Sequence, residues 1–126
     1  MLSGKKETSE KIVSQSFKIT QKNSLKETNS IFKTSLKNIS PVLDSIKIKN
    51  RKSFKHIPFF LIKPKRISNS IKIIVHNSKD NKQRLTDNFY KLLISSAANN
   101  GKIKEKIKEL HNNSFVNKNF SHYRWF

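Results

Sequence analysis

The sequence predicts a mainly α-helical protein, a bundle of about five helices from which a basic β-hairpin protrudes. Apolar residues recur at helical spacing through most of the chain, and one stretch alternates apolar and basic residues as a strand does. Pro41, and the Asn-Asn-Gly sequence at 99–101, stand where helices are expected to end. A chain of 126 residues is expected to form one domain, covering residues 1–126.

Two helices are expected ahead of the hairpin. The first covers residues 5–20, and residues 21–23 are expected to form a loop. Ser24 and Glu27 fit a capping box, in which two side chains satisfy the free backbone N–H groups of a first helical turn. Pro41 is expected to end the second helix, because the residue before a proline is pushed out of the α region. The apolar stripe of this helix consists of Leu25, Thr28, Phe32, Leu36 and Ile39.

The hairpin arm is expected at about residues 43–64. Its first strand is predicted by the strict alternation of apolar and basic residues from Ile46 to Lys49. Residues 57–63 are a second extended run rich in β-formers, and Pro64 is expected to end the arm. The link between the strands has no glycine, so a tight primed turn is not indicated.

Three further helices are predicted after the arm, each from an apolar stripe that is expected to face the core. The fourth helix is expected to stop at Asn99-Asn100-Gly101, because Asn and Gly tolerate the left-handed cap. The stripes are Ile67, Ile71, Ile74 and Val75; then Leu85, Phe89, Leu92 and Leu93; then Ile103, Ile107 and Leu110, continued at the same spacing by Val116, Phe120 and Tyr123.

The net charge indicates the class of partner. Lys plus Arg is 27 and Asp plus Glu is 8, which gives a formal charge of +19. Such a charge opposes compaction and favours association with a polyanion, either nucleic acid or an anionic membrane surface. The longest apolar run, residues 57–62, is far shorter than the roughly 20 residues that span a bilayer.

The sequence does not favour an enzyme. There is no cysteine, and the two glycines form no phosphate-binding loop. His111 and His122 would lie roughly 16 Å apart on one helix, too far to share a metal ion. No serine, histidine and aspartate stand in a recognisable nucleophile motif. We therefore expect no metal, no cofactor and no catalytic residue.

The positive charge is concentrated in two regions. Between Asp44 and Asp80 there are ten lysines or arginines and no acidic residue, which is the electrostatic footprint of a nucleic-acid-binding protein. Phe54 and His56 lie among these cations and are candidates for stacking on unpaired bases, although Phe54 is equally suited to packing across the hairpin. After Glu109 the chain again has no acid.

The chain ends in a cluster of aromatic residues around a guanidinium. His122, Tyr123 and Trp125 are candidates for stacking on RNA bases, and Arg124 for a phosphate contact. The alternative for Tyr123 and Trp125 is an aromatic anchor that seals the last helix to the core.

The order of these features resembles small-subunit ribosomal protein seven in its bacterial and organellar form. The closing residues carry the resemblance most specifically: His111, Asn117-Lys118, Phe120 and His122-Tyr123-Arg124-Trp125. From Lys72 to Trp125 the family pattern fits without a gap, through Ile74-Val75 and Ala97-Ala98-Asn100-Gly101. Upstream matches are Gly4-Lys5-Lys6, Thr8, Glu10, Ile12-Val13, Phe32, Leu36, Asn38, Pro41, Pro58 and Pro64.

The chain also departs from the family pattern. Arg51-Lys52 replace a glycine pair at the hairpin tip, and Glu105 and Ile107 occupy positions that are usually basic. One extra residue lies between the prolines of the second strand. Only residues 1–3 stand where the family carries a basic arm and a helix, so we expect that arm to be lost or supplied by another polypeptide; the family's C-terminal tail is missing as well.

The resemblance implies a structural constituent of the small ribosomal subunit. Such a protein binds the 3′ major domain of small-subunit rRNA and organises the subunit head. Its hairpin lies near the exit-site tRNA and the mRNA exit, beside ribosomal protein eleven. The implied rRNA contacts are Lys5, Lys6, Lys63, Lys65, Arg66, Lys72, Lys118 and Arg124, and the implied hairpin contacts at the exit site are Arg51, Lys52, Lys55 and His56.

The abundance of Lys, Asn, Ile and Phe, whose codons are A/T-rich, is typical of organelle and endosymbiont genomes. We therefore expect the protein in ribosomes of the mitochondrial matrix, with the plastid as the alternative. The competing function is an architectural or nucleoid DNA-binding protein, which needs wedge residues or a groove-reading helix. A basic amphipathic protein of the membrane surface is a third interpretation, which a cation-rich hairpin does not favour.

Overall fold

The computed structural model describes residues 3–50, 53–79 and 84–125. The elements in order are α1 (Lys6–Asn23), α2 (Thr28–Ile39), β1 (Leu43–Asn50), β2 (Ser53–Phe60), α3 (Lys63–Lys79), α4 (Leu85–Ala97), α5 (Lys102–Val116) and a C-terminal 3₁₀ helix (Lys118–Tyr123). The predicted fold class, mainly α with a β-hairpin, is confirmed. Within the described part of the chain, no helix is long and apolar enough to cross a bilayer.

The connection between α1 and α2 differs from the prediction. Residues 21–23 continue α1, and α2 begins only at Thr28. The predicted capping box is wrong, because Glu27 precedes α2 without a side-chain capping bond. The Ser24 hydroxyl instead donates to the Thr20 carbonyl at 2.5 Å, which satisfies an acceptor at the end of α1. Leu25 therefore lies outside any helix and is fully exposed rather than part of the core.

The core lies around α4, which packs against α1, α2 and α3. Partly buried rings and aliphatic chains surround the centre, and Phe17 and Phe32 meet edge to face with ring centroids 5.7 Å apart. The buried centre consists of Ile39, Ile74, Leu93, Ile103 and Ile107.

The apolar stripe predicted for α3 is only partly in this core. Ile74 is buried, whereas Ile67, Ile71 and Val75 are exposed. The packed face of α3 consists instead of Ser70, Ile74 and Ser78, which recur every fourth residue. The prediction was wrong here because serine is small enough to let two helices approach, and a search for large apolar residues overlooks it.

Buried hydroxyl groups are a general feature of the helix interfaces. Each hydroxyl donates to a carbonyl three or four residues earlier in its own helix, so it is buried with its hydrogen bond made. The cost of burying these polar atoms is therefore small. The residues are Ser16, Thr20, Ser35, Ser70, Ser78, Ser96 and Ser114.

The hairpin pairs β1 and β2 in antiparallel register, from Leu43 opposite Phe60 to Asn50 opposite Ser53. Its second strand starts earlier and ends earlier than predicted, because Lys63 and Pro64 already belong to α3. Proline is tolerated in a first helical turn, where its missing N–H would have no partner. The predicted contacts Arg51 and Lys52 lie outside the described residues.

The base of the hairpin is fixed to the helical body by polar contacts. The Leu61 N–H donates to the Val42 carbonyl at 3.0 Å, and the Val42 N–H donates to His111 Nε2 at 3.3 Å. The Asn69 amide donates to Asp44 Oδ2 at 3.4 Å. These bonds tie the arm to α5 and α3, so the arm's direction is set by the body.

The apolar stripe predicts one continuous C-terminal helix, and this prediction is wrong. Helix α5 ends at Val116, and the Asn117 side-chain amide donates to the Asn113 carbonyl at 2.8 Å. The following 3₁₀ helix packs against β2. Val116 and Tyr123 are consequently exposed and do not belong to the core.

Candidate nucleic-acid interface

Cationic and aromatic side chains from four segments meet at the base of the hairpin. Strand β2, the first turn of α3, the end of α5 and the chain after it contribute to this surface, which we call the hairpin-base surface. Its residues are Lys55, Phe59, Phe60, Lys65, Phe115, Lys118, Phe120, Tyr123 and Arg124.

The ring of Phe59 is the point where the cations converge. Lys65 Nζ lies 5.7 Å from its centroid, and the Arg124 guanidinium carbon lies 5.9 Å from it. Phe59 is buried, and it is the last of three successive buried residues of β2, after Ile57 and Pro58. Because successive residues of a strand point to opposite faces, both faces of β2 are covered at this level. A rigid ring thus holds the start of α3 and the C-terminus together.

Lys55 connects the hairpin to the C-terminal 3₁₀ helix. Its ammonium lies 5.2 Å from the ring centroid of Phe120 and 5.2 Å from that of Tyr123. The Tyr123 ring in turn lies 4.3 Å from the imidazole of His122. Lys55 was expected only as an RNA contact, and the structure gives it an additional intramolecular role.

The predicted stacking residues are exposed. Trp125 is 82% exposed, so the alternative of an aromatic anchor buried in the core does not describe it. Tyr123 and His122 present their rings on the surface of the 3₁₀ helix. Phe54 is 58% exposed, and Lys47 Nζ lies 4.6 Å above its ring. His56 is exposed opposite Lys47.

The remaining predicted contacts are distributed over other parts of the body. Lys5 lines a groove between α1, α3 and α4, and Lys6 pairs with Glu10 at 3.7 Å. Lys72 lines a groove between α3 and α5. Arg66 donates from Nε to the Ser40 hydroxyl at 3.2 Å, which ties it to the end of α2. Lys63, the first residue of α3, is exposed.

Two aromatic residues of the surface were missed in the sequence. Phe60 and Phe115 are each 67% exposed and line one groove together with Leu43, Pro58, Phe59, Lys118 and Arg124. The sequence carried a signal that Phe115 is exposed. It lies one position off the buried face of α5, which continues from Ile107 to Ser114. Phe60 ends an apolar run, and nothing in that run marks it as the exposed member.

The charged side chains named for the hairpin-base surface are all cations. The segments that build it come from the two acid-free stretches of the sequence. Asp44 at the hairpin base is half-buried and accepts hydrogen bonds from the Ser45 N–H at 2.8 Å and from Asn69. Among the described residues, no three histidines or carboxylates are grouped as a metal site would require.

These features are typical of a basic nucleic-acid-binding protein: a helical body, a projecting hairpin, and cations beside aromatic rings. The family model of ribosomal protein S7p/S5e matches residues 1–118. The chain therefore belongs to the ribosomal protein S7p/S5e family, and the resemblance seen in the sequence is confirmed. Members of this family are structural components of the ribosome, so the prediction that the chain is not an enzyme is confirmed as well.

Curated relatives align with nearly the whole chain. The small ribosomal subunit protein uS7 of Thermotoga petrophila is 28% identical over 126 residues, which cover 99% of this chain and 81% of the relative. The uS7 of Desulfitobacterium hafniense is 31% identical over 130 residues, with the same coverage of both chains. The protein uS7m of Reclinomonas americana is 27% identical and is covered over 79% of its length.

Proposed function

We propose that the protein is a structural constituent of the small subunit of the mitochondrial ribosome. In this proposal it binds the 3′ major domain of small-subunit rRNA and organises the subunit head. The observation that carries the proposal is the hairpin-base surface, where Lys55, Lys65, Lys118 and Arg124 lie beside aromatic rings in a member of a ribosomal family.

The chemistry of this surface suits folded RNA. Lysine and arginine neutralise phosphates and release the counterions that surround them. Exposed aromatic rings stack on bases that are splayed out of loops and bulges, which is how proteins recognise RNA sequence most often. Lys47 lies beside the exposed ring of Phe54 and Lys118 beside the exposed ring of Phe115, so phosphate and base contacts are available side by side.

The hairpin itself is proposed to approach the exit-site tRNA and the mRNA exit, beside ribosomal protein eleven. Support comes from its outer half, where Lys47 and the ring of Phe54 are exposed together. The arm is tied to α3 and α5 at its base, so it projects in a defined direction once the body is docked on rRNA.

The proposed location is the mitochondrial matrix. The A/T-biased composition supports an organelle genome, and a relative among those aligned is a mitochondrial uS7m. Sedimentation of mitochondrial lysate on a gradient, with mass spectrometry of each fraction, tests the location. Co-migration with the small subunit after a high-salt wash supports the proposal. Co-migration in plastid lysate alone would replace the mitochondrial location with a plastid one.

Binding to RNA is tested with the purified full chain and a transcript of the 3′ major domain. Duplex DNA of equal length and an unrelated structured RNA serve as competitors at several salt concentrations. We expect tighter binding to the transcript than to either competitor, with affinity that falls steeply as salt rises. Equal binding to the duplex DNA and the transcript would overturn the proposal in favour of an architectural DNA-binding protein.

A further inference from the structure

We propose that the groove between Phe60 and Phe115 is a pocket for one unpaired base of the bound rRNA. This inference rests on the proposed function and goes beyond it, because it assigns a base-binding site to residues that neither the sequence pattern nor the family match identified. The groove lies between the end of β2, the end of α5 and the chain that follows the 3₁₀ helix.

The walls of the groove have the shape and polarity that a base requires. Leu43, Pro58 and Phe59 form an apolar lining, and the rings of Phe60 and Phe115 are two-thirds exposed at its sides. Two phenylalanines that remain so exposed cost free energy in water unless a partner covers them. A planar partner covers a ring efficiently by stacking, and every base has such a face.

The charges around the groove select a nucleotide over an apolar protein segment. Lys118 Nζ lies 4.7 Å from the ring centroid of Phe115, and Phe115 is still two-thirds exposed, so its side chain has surface left for a base. Arg124 lies beside Phe59 in the same groove, and Lys65 approaches that ring from α3. None of the described residues that line the groove is acidic. Cations at the rim are thus placed for the phosphates on either side of an inserted base.

The pocket also differs from the exposed rings at the tip of the chain. Much of its lining comes from β2 and α5, which pack against each other, and the Val42 N–H beside the hairpin donates to His111 of α5. Phe60 and Phe115 are therefore set in a fixed groove, whereas His122 and Tyr123 are exposed residues of the 3₁₀ helix outside the described lining. A fixed groove selects an unpaired base at a defined position of the RNA and excludes a base within a regular duplex.

The test compares variants of the full chain for binding to the 3′ major domain transcript. Phe115→Leu keeps the apolar volume and removes the ring, whereas Phe115→Tyr keeps the ring. We expect Phe115→Leu, and Phe60→Leu beside it, to weaken binding by roughly 5- to 150-fold, the range found when a stacked aromatic is removed. Phe115→Tyr and the control Val116→Ala, which alters an exposed residue outside the groove, are expected to bind like the wild type.

Two further readouts identify the kind of contact that is lost. The slope of log affinity against log salt should be unchanged in Phe115→Leu, because no phosphate contact is removed, but should fall by about 0.7 to 0.9 in Lys118→Ala. With 4-thiouridine in the transcript, photocrosslinks are expected on the peptides that contain Phe60 and Phe115. Thermal unfolding of each variant shows that it is folded, as expected for substitutions of exposed side chains.

The outcomes separate this inference from the proposed function. Failure of the wild type to bind the transcript would overturn both. Wild-type binding with full affinity retained by the Phe60→Leu, Phe115→Leu double variant would overturn the base pocket alone. The double variant is also tested for incorporation into reconstituted small subunits. If it binds RNA normally but is not incorporated, the groove takes a protein partner, which also overturns the inference.

Discussion

The side-chain amide of Asn38 in α2 donates to the Ser96 carbonyl at 3.0 Å and to the next carbonyl, that of Ala97, at 3.1 Å. Both acceptors lie in the last turn of α4, where the carbonyls have no partner within their own helix. One helix therefore caps another through a single side chain, and the contact fixes the position of α2 along the central helix.

Removing this cap should destabilise the protein. We expect Asn38→Ala to lower the free energy of unfolding by about 1–3 kcal/mol, because it removes two part-buried hydrogen bonds. The Ser96 carbonyl keeps the Asn99 N–H as a donor, so the loss falls mainly on the Ala97 carbonyl. Asn29→Ala, a change at an exposed position of the same helix, should shift it by less than about 0.5 kcal/mol. Urea denaturation followed by circular dichroism measures both values. Equal midpoints for the two variants would show that water replaces the Asn38 bonds.

A matched pair of isoleucines tests which face of α3 is packed. Ile74→Ala should lower the free energy of unfolding by about 2–5 kcal/mol, because a buried side chain is replaced by a cavity. Ile71→Ala, three residues earlier on the exposed side, should cost less than about 1 kcal/mol. The sequence stripe alone predicts similar losses. If the urea midpoints of the two variants agreed within error, Ile71 would be packed in the core as Ile74 is, and the face assigned to α3 would be wrong.

The ammonium of Lys55 should hold the C-terminal 3₁₀ helix against the hairpin. Lys55→Met keeps the aliphatic chain and removes the charge over Phe120 and Tyr123, which is worth about 0.5–1 kcal/mol at a surface site. We expect faster hydrogen exchange at the backbone amides of residues 118–123, with little change in the core helices. Lys49→Met on β1 is the control, and the same exchange pattern in that variant would exclude a specific role for Lys55.

The cations of the hairpin-base surface should each account for a measurable part of the salt dependence of RNA binding. Lys65→Ala and Lys118→Ala are expected to reduce the slope of log affinity against log salt by about 0.7 to 0.9 each, since one phosphate contact is lost. Lys33→Ala, at an exposed position of α2, should leave the slope unchanged. A uniform loss from all three would indicate that net charge matters and position does not.

The sequence predicted those elements whose boundaries depend on local chemistry. Pro41 ends α2 as expected, and Asn99 adopts the left-handed conformation, with φ of 59°, where α4 was expected to stop. The alternation around Ile46 and Lys47 correctly indicated a strand. Each of these signals acts on its own residue or its immediate neighbours.

The errors arose where tertiary packing decides. Ile71 and Ser70 are neighbours in sequence, and only the contact with other helices determines that the serine is buried and the isoleucine exposed. The groove of Phe60 and Phe115 brings together residues far apart in sequence. Periodicity assigns residues to a face of one element, but it does not show which faces of two elements meet.

The hydroxyl-lined helix interfaces have a consequence for the life of the protein in the cell. Serine and threonine bury little apolar surface, and a charge of +19 opposes the compact state, so the free chain gains little stability from its own interior. A bound polyanion stabilises the folded state by mass action and neutralises the repulsion. Copies made in excess of available rRNA should therefore be unfolded more often and degraded sooner. The abundance of the protein would then follow that of its RNA without a dedicated regulator.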